Sequence, residues 1–192
     1  LLSEPLVDIS ITEDAASHIV IPATAFTNPD GDVLAFSASL ADGTALPAWL
    51  TFDSLTSTFS GTPDNEQVGS YAIVLTAADP DGLAVTDDFI LAVSNVNDAP
   101  VFINPITDQS TDEDVPFRFD LDAASFGDVD LIYGDHLTLS ATLADGNDLP
   151  TWLAFDAATG IFSGVPANSD VGIHDIRITA TDESGAVAST VF

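Results

Sequence analysis

The chain has no cysteine, no methionine and no lysine. Without cysteine there are no disulfides and no thiolate zinc site, so an extracellular life would have to be supported by packing or by an oxygen-bound cation. Two basic residues, Arg118 and Arg177, stand against 31 acids, for a formal charge of −29. That balance excludes nucleic acid and anionic membrane surfaces as direct partners and calls for a cation. No apolar run approaches the roughly 20 residues of a membrane span, so no direct membrane insertion is expected. No basic-then-apolar signal opens the chain, which reads as a piece of a longer, soluble polypeptide. What is present is core-forming: 46% of residues are hydrophobic, with 12 Phe and 2 Trp. That suffices for two units of roughly 95 residues to fold separately.

The two units are legible as a repeat. Leu-Ala-Asp-Gly-x-x-Leu-Pro-x-Trp-Leu-x-Phe-Asp, followed by Phe-Ser-Gly-x-Pro and Thr-Ala-x-Asp-x-x-Gly, begins at Leu40 and again at Leu143. From Gly31 to Phe89 about half of the positions recur at an offset of 103, a tandem duplication of one small domain. Before Gly31 the offset is 100, pairing Glu13 with Glu113, Phe26 with Phe126 and Asp30 with Asp130. The second copy's extra residues therefore fall at about Leu131-Ile132-Tyr133. The expected boundaries are 1–98 for the first copy with its linker and 99–192 for the second.

Local patterning is strand and turn throughout. His18–Ile21, Val33–Ser39, Tyr71–Ala77, Phe89–Val93 and Ile173–Thr179 are short and rich in β-branched and aromatic residues, with turn signals between them. About seven such strands per copy predict an all-β chain of two tandem immunoglobulin-like or cadherin-like β-sandwiches. Trp49 and Trp152, with Phe52, Phe59, Phe155 and Phe162, read as core anchors; a sugar-stacking platform is the weaker alternative.

Acids gather in the connections: Glu13-Asp14, Asn28-Pro-Asp30-Gly-Asp32, Asp64-Asn-Glu66, Asp79-Pro-Asp81-Gly and Asn95-Val-Asn97-Asp98. Turn chemistry alone explains much of this, since Pro and Gly preset the dihedrals of Asn-Pro-Asp-Gly and Asp-Pro-Asp-Gly. In the second copy, however, the first of these turns has lost its proline while Asp128 and Asp130 keep oxygen donors at the positions of Asn28 and Asp30. Two carboxylates 4 Å apart repel by about 1 kcal/mol in water and about 4 kcal/mol at an effective dielectric of 20. Clusters of them favour a divalent cation.

The linker Asn95-Val-Asn97-Asp98-Ala-Pro100 resembles the cadherin interdomain motif Asp-x-Asn-Asp-Asn-Pro, and Asp-x-x-Gly after Thr-Ala resembles the cadherin Asp-x-Gly loop. The phrase from Leu-Pro-x-Trp-Leu to Phe-Ser-Gly-Thr-Pro resembles the dystroglycan-type cadherin-like repeat, also described as a putative immunoglobulin repeat. That repeat is common in bacterial surface adhesins, many of the repeats-in-toxin secretion type. The resemblance implies calcium between the copies. On the first copy's side it implies Glu13, Asp64, Glu66, Asn95, Asn97 and Asp98; on the second's, Asp128, Asp130 and Asp182. Oxygen donors in flexible loops suit calcium over magnesium. Position 95 is Asn rather than Asp, Ala99 replaces the second Asn, and Asp64-Asn-Glu66 only approximates the cadherin Asp-Arg-Glu, which implies fewer or weaker ions.

These readings converge on a non-catalytic, calcium-binding tandem segment of a secreted or cell-surface adhesin, serving cell adhesion or as a spacer. Its expected partners are calcium, neighbouring repeats of the same chain, and a surface polysaccharide or protein. The alternative is a calcium-dependent carbohydrate-binding module, with Tyr71 and Tyr133 as its few exposed-aromatic candidates. A glycan-active enzyme comes last: His18, His136 and His174 occupy unrelated places, and paired carboxylates would duplicate with the repeat. Phe192 aligns with Phe89, yet the first copy's strand runs on to Val93, so the second copy lacks most of its final strand and is expected to be looser along Ile173–Thr181.

Overall fold

A computed structural model describes residues 1–192, except for the side chain of Ala123. The chain divides into two compact units, Leu1–Val96 and Asn97–Phe192. Among the described residues the only helical elements are short 3-10 turns; everything else regular is β.

The first unit is a sandwich of two sheets. Strands β1 (Ile9–Thr12), β2 (Ser17–Val20), β3 (Ala35–Leu40), β4 (Leu50–Asp53), β5 (Thr58–Gly61), β6 (Gly69–Ala78) and β7 (Ala84–Ser94) follow in order. One sheet runs β1-β7-β6-β3 and the other β2-β5-β4. The pairing of β1 with β7 is parallel, Ile9 opposite Leu91 and Thr12 opposite Ser94. Along β6 the side chains of Ile73, Leu75 and Ala77 are buried while their neighbours are half-buried, as the two-residue period of a strand requires. They meet Leu50, Phe59, Phe89 and Leu91 in a single core, where Phe59 lies edge-on to Phe89 with ring centroids 5.8 Å apart.

The second unit repeats the plan through β8 (Val101–Phe102), β9 (Phe117–Asp120), β10 (Phe126–Gly127), β11 (Thr138–Leu143), β12 (Leu153–Asp156), β13 (Ile161–Gly164), β14 (Ile176–Thr181) and β15 (Val187–Val191). Its sheets are β11-β14-β15 and β12-β13-β9, with β8 and β10 paired separately. Phe162, Ile176, Ile178 and Ala180 form the centre of its core. Two stretches differ from the first unit. The counterpart of β1 (residues 109–112) is not a strand, and β14 begins at Ile176, not at the counterpart of Gly69. The strand expected from Ile173 is therefore shorter and starts at Ile176, with the Asp175 carbonyl still accepting from Ala144 N at 2.8 Å.

The Trp-to-Gly phrase has a steric basis. Trp49 and Trp152 are half-buried against their cores, edge-on to Tyr71 and Phe117. Gly61 pairs with Leu50 and Gly164 with Leu153, the residues that follow the tryptophans. A Cβ on either glycine would overlap the carbonyl oxygen of the tryptophan, so only glycine lets these strands close.

Candidate metal centre

In the first unit, the chain leaves β1 through Glu13 and Asp14. Asp14 adopts φ 55°, and its N–H donates to the carbonyl of Pro63 at 2.8 Å, which ties this turn to the loop after β5. Glu13 is fully buried. Its N–H donates to Ser94 O at 3.2 Å, and its Oε1 accepts from the N–H of Val96 at 2.8 Å. The carboxylate thus fixes the start of the linker from beneath. Asp64 caps the 3-10 turn Asn65–Gln67: its Oδ1 accepts from Glu66 N at 2.9 Å, while its own N–H donates to Gln67 Oε1. Asp64, Glu66 and Asn95 are exposed.

In the second unit, the extra residues Leu131-Ile132-Tyr133 form most of a 3-10 turn, Val129–Tyr133, which ends on Gly134 with φ 102°. Asp128 caps that turn, its Oδ1 accepting from Asp130 N at 2.9 Å. The turn carries Asp130 inward, where it is 1% exposed and its Oδ2 accepts from Asp98 N at 2.5 Å. Asp182 follows β14 and is likewise buried. Its Oδ1 accepts from Ala186 N at 2.7 Å and its Oδ2 from the Asn97 amide at 2.9 Å. The Asn97 amide, then the N–H groups of the turn after β14, hold the Asp182 carboxyl below the ordinary value of 3.8 against the opposing effect of burial. Linker residues Asn97 and Asp98 are in this way drawn onto Asp182 and Asp130.

A residue that sequence reading passed over completes the cluster. Asp135 accepts at Oδ1 from the N–H groups of His136 at 2.7 Å and Glu183 at 3.0 Å. Ligand oxygens of Asp128, Asp135 and Asp182 lie within 4.8 Å of one another. The signal for Asp135 was its pairing with Asp32 at the offset of 103.

The chemistry of this cluster fits a hard cation. Asp128 Oδ2 and Asp135 Oδ2 are buried and accept no hydrogen bond. A buried carboxylate oxygen without a donor is costly, and three like charges at this separation repel. One divalent ion answers both, and an all-oxygen donor set matches calcium. Tyr71, His136 and His174, the candidates for carbohydrate binding or catalysis, have partners elsewhere. Tyr71 packs on Trp49 and donates its hydroxyl to Gln67 O at 2.8 Å. His136 Nδ1 lies 2.9 Å from Glu183 Oε1 at the surface, and His174 Nε2 lies 2.9 Å from Asp170 O.

The family model described as Putative Ig domain matches residues 1–94 and again 99–192. Among curated proteins, the chain is similar to the serine-rich adhesin for platelets of Staphylococcus aureus, 29% identical over 149 residues, or 78% of this chain. In strain MRSA252 the identity is 30% over the same share. The chain spans 6% of the first of these adhesins and 10% of the second. Among solved structures, mouse cadherin-23 EC22-24 superposes with a TM-score of 0.67 at 18% identity, covering 97% of this chain and 62% of that one. Protocadherin gamma B2 domains 3-6 reach 0.64 at 13% identity, covering 100% of this chain and 46% of that one. At such identities the cadherins speak for the fold alone, an immunoglobulin-like and cadherin-like β-sandwich in tandem. The chain belongs, in both of its copies, to the Putative Ig domain family.

Proposed function

We propose that the chain is a non-catalytic, calcium-binding pair of repeats from an extracellular bacterial surface adhesin, stiffened by the ion where one repeat leads into the next. The observation that carries the reading is the pair of buried, donorless oxygens on Asp128 and Asp135 beside Asp182. Calcium would be held by Asp128, Asp135, Asp182 and Asp130, with Asn97 and Asp98 from the linker. Further oxygens are proposed from Glu13, Asp64, Glu66 and Asn95, on the strength of Glu13 accepting from Val96 immediately before that linker. The adhesin relatives and the duplication support a role in which repeats engage neighbouring repeats of their own chain and a surface polysaccharide or protein. Extracellular calcium suits sites with affinities on the order of 10⁻⁴ M.

The test is a thermal melt and a small-angle scattering profile with calcium and with chelator. Binding to the native state alone adds RT ln(1 + [Ca]/Kd), about 2.7 kcal/mol at a hundredfold excess over Kd. A higher melting temperature and a narrower distribution of dimensions in calcium are expected. Identical melts and profiles in chelator would overturn the assignment.

A further inference from the structure

The charges are spread unevenly over the sheets. Strands β11, β14 and β15 contain no acid, and their one charge is Arg177. Along β14 Ile176, Ile178 and Ala180 are buried, which turns Arg177, Thr179 and Thr181 to the outer face. There Arg177 stands between Thr142 and Val191, and the next outward row is Ser140, Thr179 and Ser189. The other cation of the chain, Arg118, pairs with Asp120 at 2.8 Å, whereas Arg177 has no ion pair among the described residues.

The sheet β1-β7-β6-β3 of the first unit carries two acids, Asp87 and Asp88. Asp87 is spent on the fold, its Oδ2 accepting from Leu6 N at 2.6 Å. Asp88 lies on the outer face, is exposed, and makes no hydrogen bond or ion pair among the described residues. Asp8, at the margin of that sheet, accepts from Ile90 N at 2.8 Å. Asp88 shares its row with Val74 and Ser39, and the next outward row is Ser37, Thr76 and Thr86. Ser39, Val74 and Asp88 are the counterparts of Thr142, Arg177 and Val191 at the offset of 103. One row of the duplicated sheet thus bears a single negative charge in the first unit and a single positive charge in the second.

We propose that these two faces form an interface between copies of this chain. The outer face of β1-β7-β6-β3 of one molecule packs on the outer face of β11-β14-β15 of a second copy, with Asp88 opposite Arg177. Charge selects this pairing: two first-unit faces set Asp88 against Asp88, two second-unit faces set Arg177 against Arg177, and only the mixed pair attracts. Elsewhere two chains of formal charge −29 repel, so they approach where acids are scarce. Serine, threonine and valine side chains stand low enough for two sheets to close to about 10 Å, and facing hydroxyls, each donor and acceptor, satisfy one another. A polysaccharide fits less well, because neither pair of outward rows carries an aromatic ring for a sugar to stack on. The interface uses no proposed calcium ligand, so it stands or falls separately from the calcium site.

The test is sedimentation equilibrium of the intact chain at an ionic strength that shortens the Debye length to about 8 Å. Reversible self-association is expected. Asp88→Arg and Arg177→Asp should each weaken it by about tenfold or more, since each sets like charges face to face. The double variant Asp88→Arg/Arg177→Asp should recover most of the loss. A second measurement leaves both charges in place and exploits the lack of native cysteine. Ser37→Cys mixed with Ser140→Cys should form an intermolecular disulfide faster than either protein alone. A parent that stays monomeric at every concentration would overturn the proposal. So would single variants that associate like the parent, a double variant no better than the singles, or crosslinking no faster in the mixture.

Discussion

Asn28 and Asp128 hold the same turn and leave opposite groups behind. Each accepts at Oδ1 from the backbone N–H two residues on, at 3.2 Å from Asp30 and 2.9 Å from Asp130. What remains on Asn28 is a buried Nδ2, and on Asp128 a buried Oδ2, each without a hydrogen-bond partner. The first copy offers a donor where the second offers a carboxylate oxygen. Asp128→Asn is therefore expected to keep the turn and weaken calcium binding on the order of tenfold, because ligand charge tunes affinity. Calorimetric titration decides it, and equal affinity in the two proteins would remove Asp128 from the site. The converse change, Asn28→Asp, buries a donorless carboxylate oxygen and should destabilise the calcium-free first unit by about 1–3 kcal/mol.

Asp98→Ala and Asp130→Ala should each abolish most of the calcium-induced rise in melting temperature. Asp53→Ala, at the last residue of β4, should leave that rise intact while lowering stability in calcium and chelator alike. The melts of the three variants separate a site at the head of the second unit from a general response of an acidic chain. If Asp53→Ala alone lost the response, the assignment would fail.

The Asp53 carboxyl is held below the ordinary value of 3.8 by hydrogen bonds from the Leu55 N–H and then from Thr56. Asp156, its counterpart, is lowered by the Thr159 side chain and then by the Ala158 N–H. A depressed carboxyl contributes stability that is complete above its unfolded value and disappears as pH falls through the folded value. The stability gap between the parent and Asp53→Ala or Asp156→Ala should be full at pH 6 and close below about pH 4. Urea unfolding at both pH values tests this; a gap that widens in acid would contradict it.

Gly61→Ala and Gly164→Ala should each cost about 1–3 kcal/mol, the range for overpacking a tight site. The added Cβ meets the backbone carbonyl of Trp49 or Trp152, which sits at the edge of a strand pair and has little freedom to withdraw. Denaturant midpoints measure the loss, and wild-type stability in either variant would show that the strands can part without penalty.

Strand and sandwich were legible because a half-buried strand writes its period into the chain, as along Tyr71–Ala77, and the duplication supplied each element twice. The acids of the second unit's head were legible for the same reason: Asp128, Asp130 and Asp182 sit at recurring positions in turns. Asp135 was passed over because it lies just past an insertion, where local counting slips and only the 103 offset keeps register. Asp64 could not be weighed from sequence, since one of its oxygens closes the cap on Glu66, and a capping acid and a ligand acid read alike. A strand from Ile173 and a loosening along Ile173–Thr181 were both expected; the structure starts β14 at Ile176, a boundary that depends on the partner across the edge and not on the residues' own period.

The parallel ladder between β1 and β7 has a mechanical consequence. β1 lies near the end by which the chain enters the first unit, and β7 runs out into the linker. Tension drawn through the chain pulls two adjacent parallel strands in opposite senses along their length. Such a load is a shear, and the pairs from Ile9–Leu91 to Thr12–Ser94 share it instead of parting one at a time. Glu13 adds a fastener at the end of that ladder through the N–H of Val96. Single-molecule pulling on Glu13→Ala, which leaves the ladder but loosens its end, should lower the rupture force of the first unit; an unchanged force would mean that the load is borne elsewhere in the sandwich.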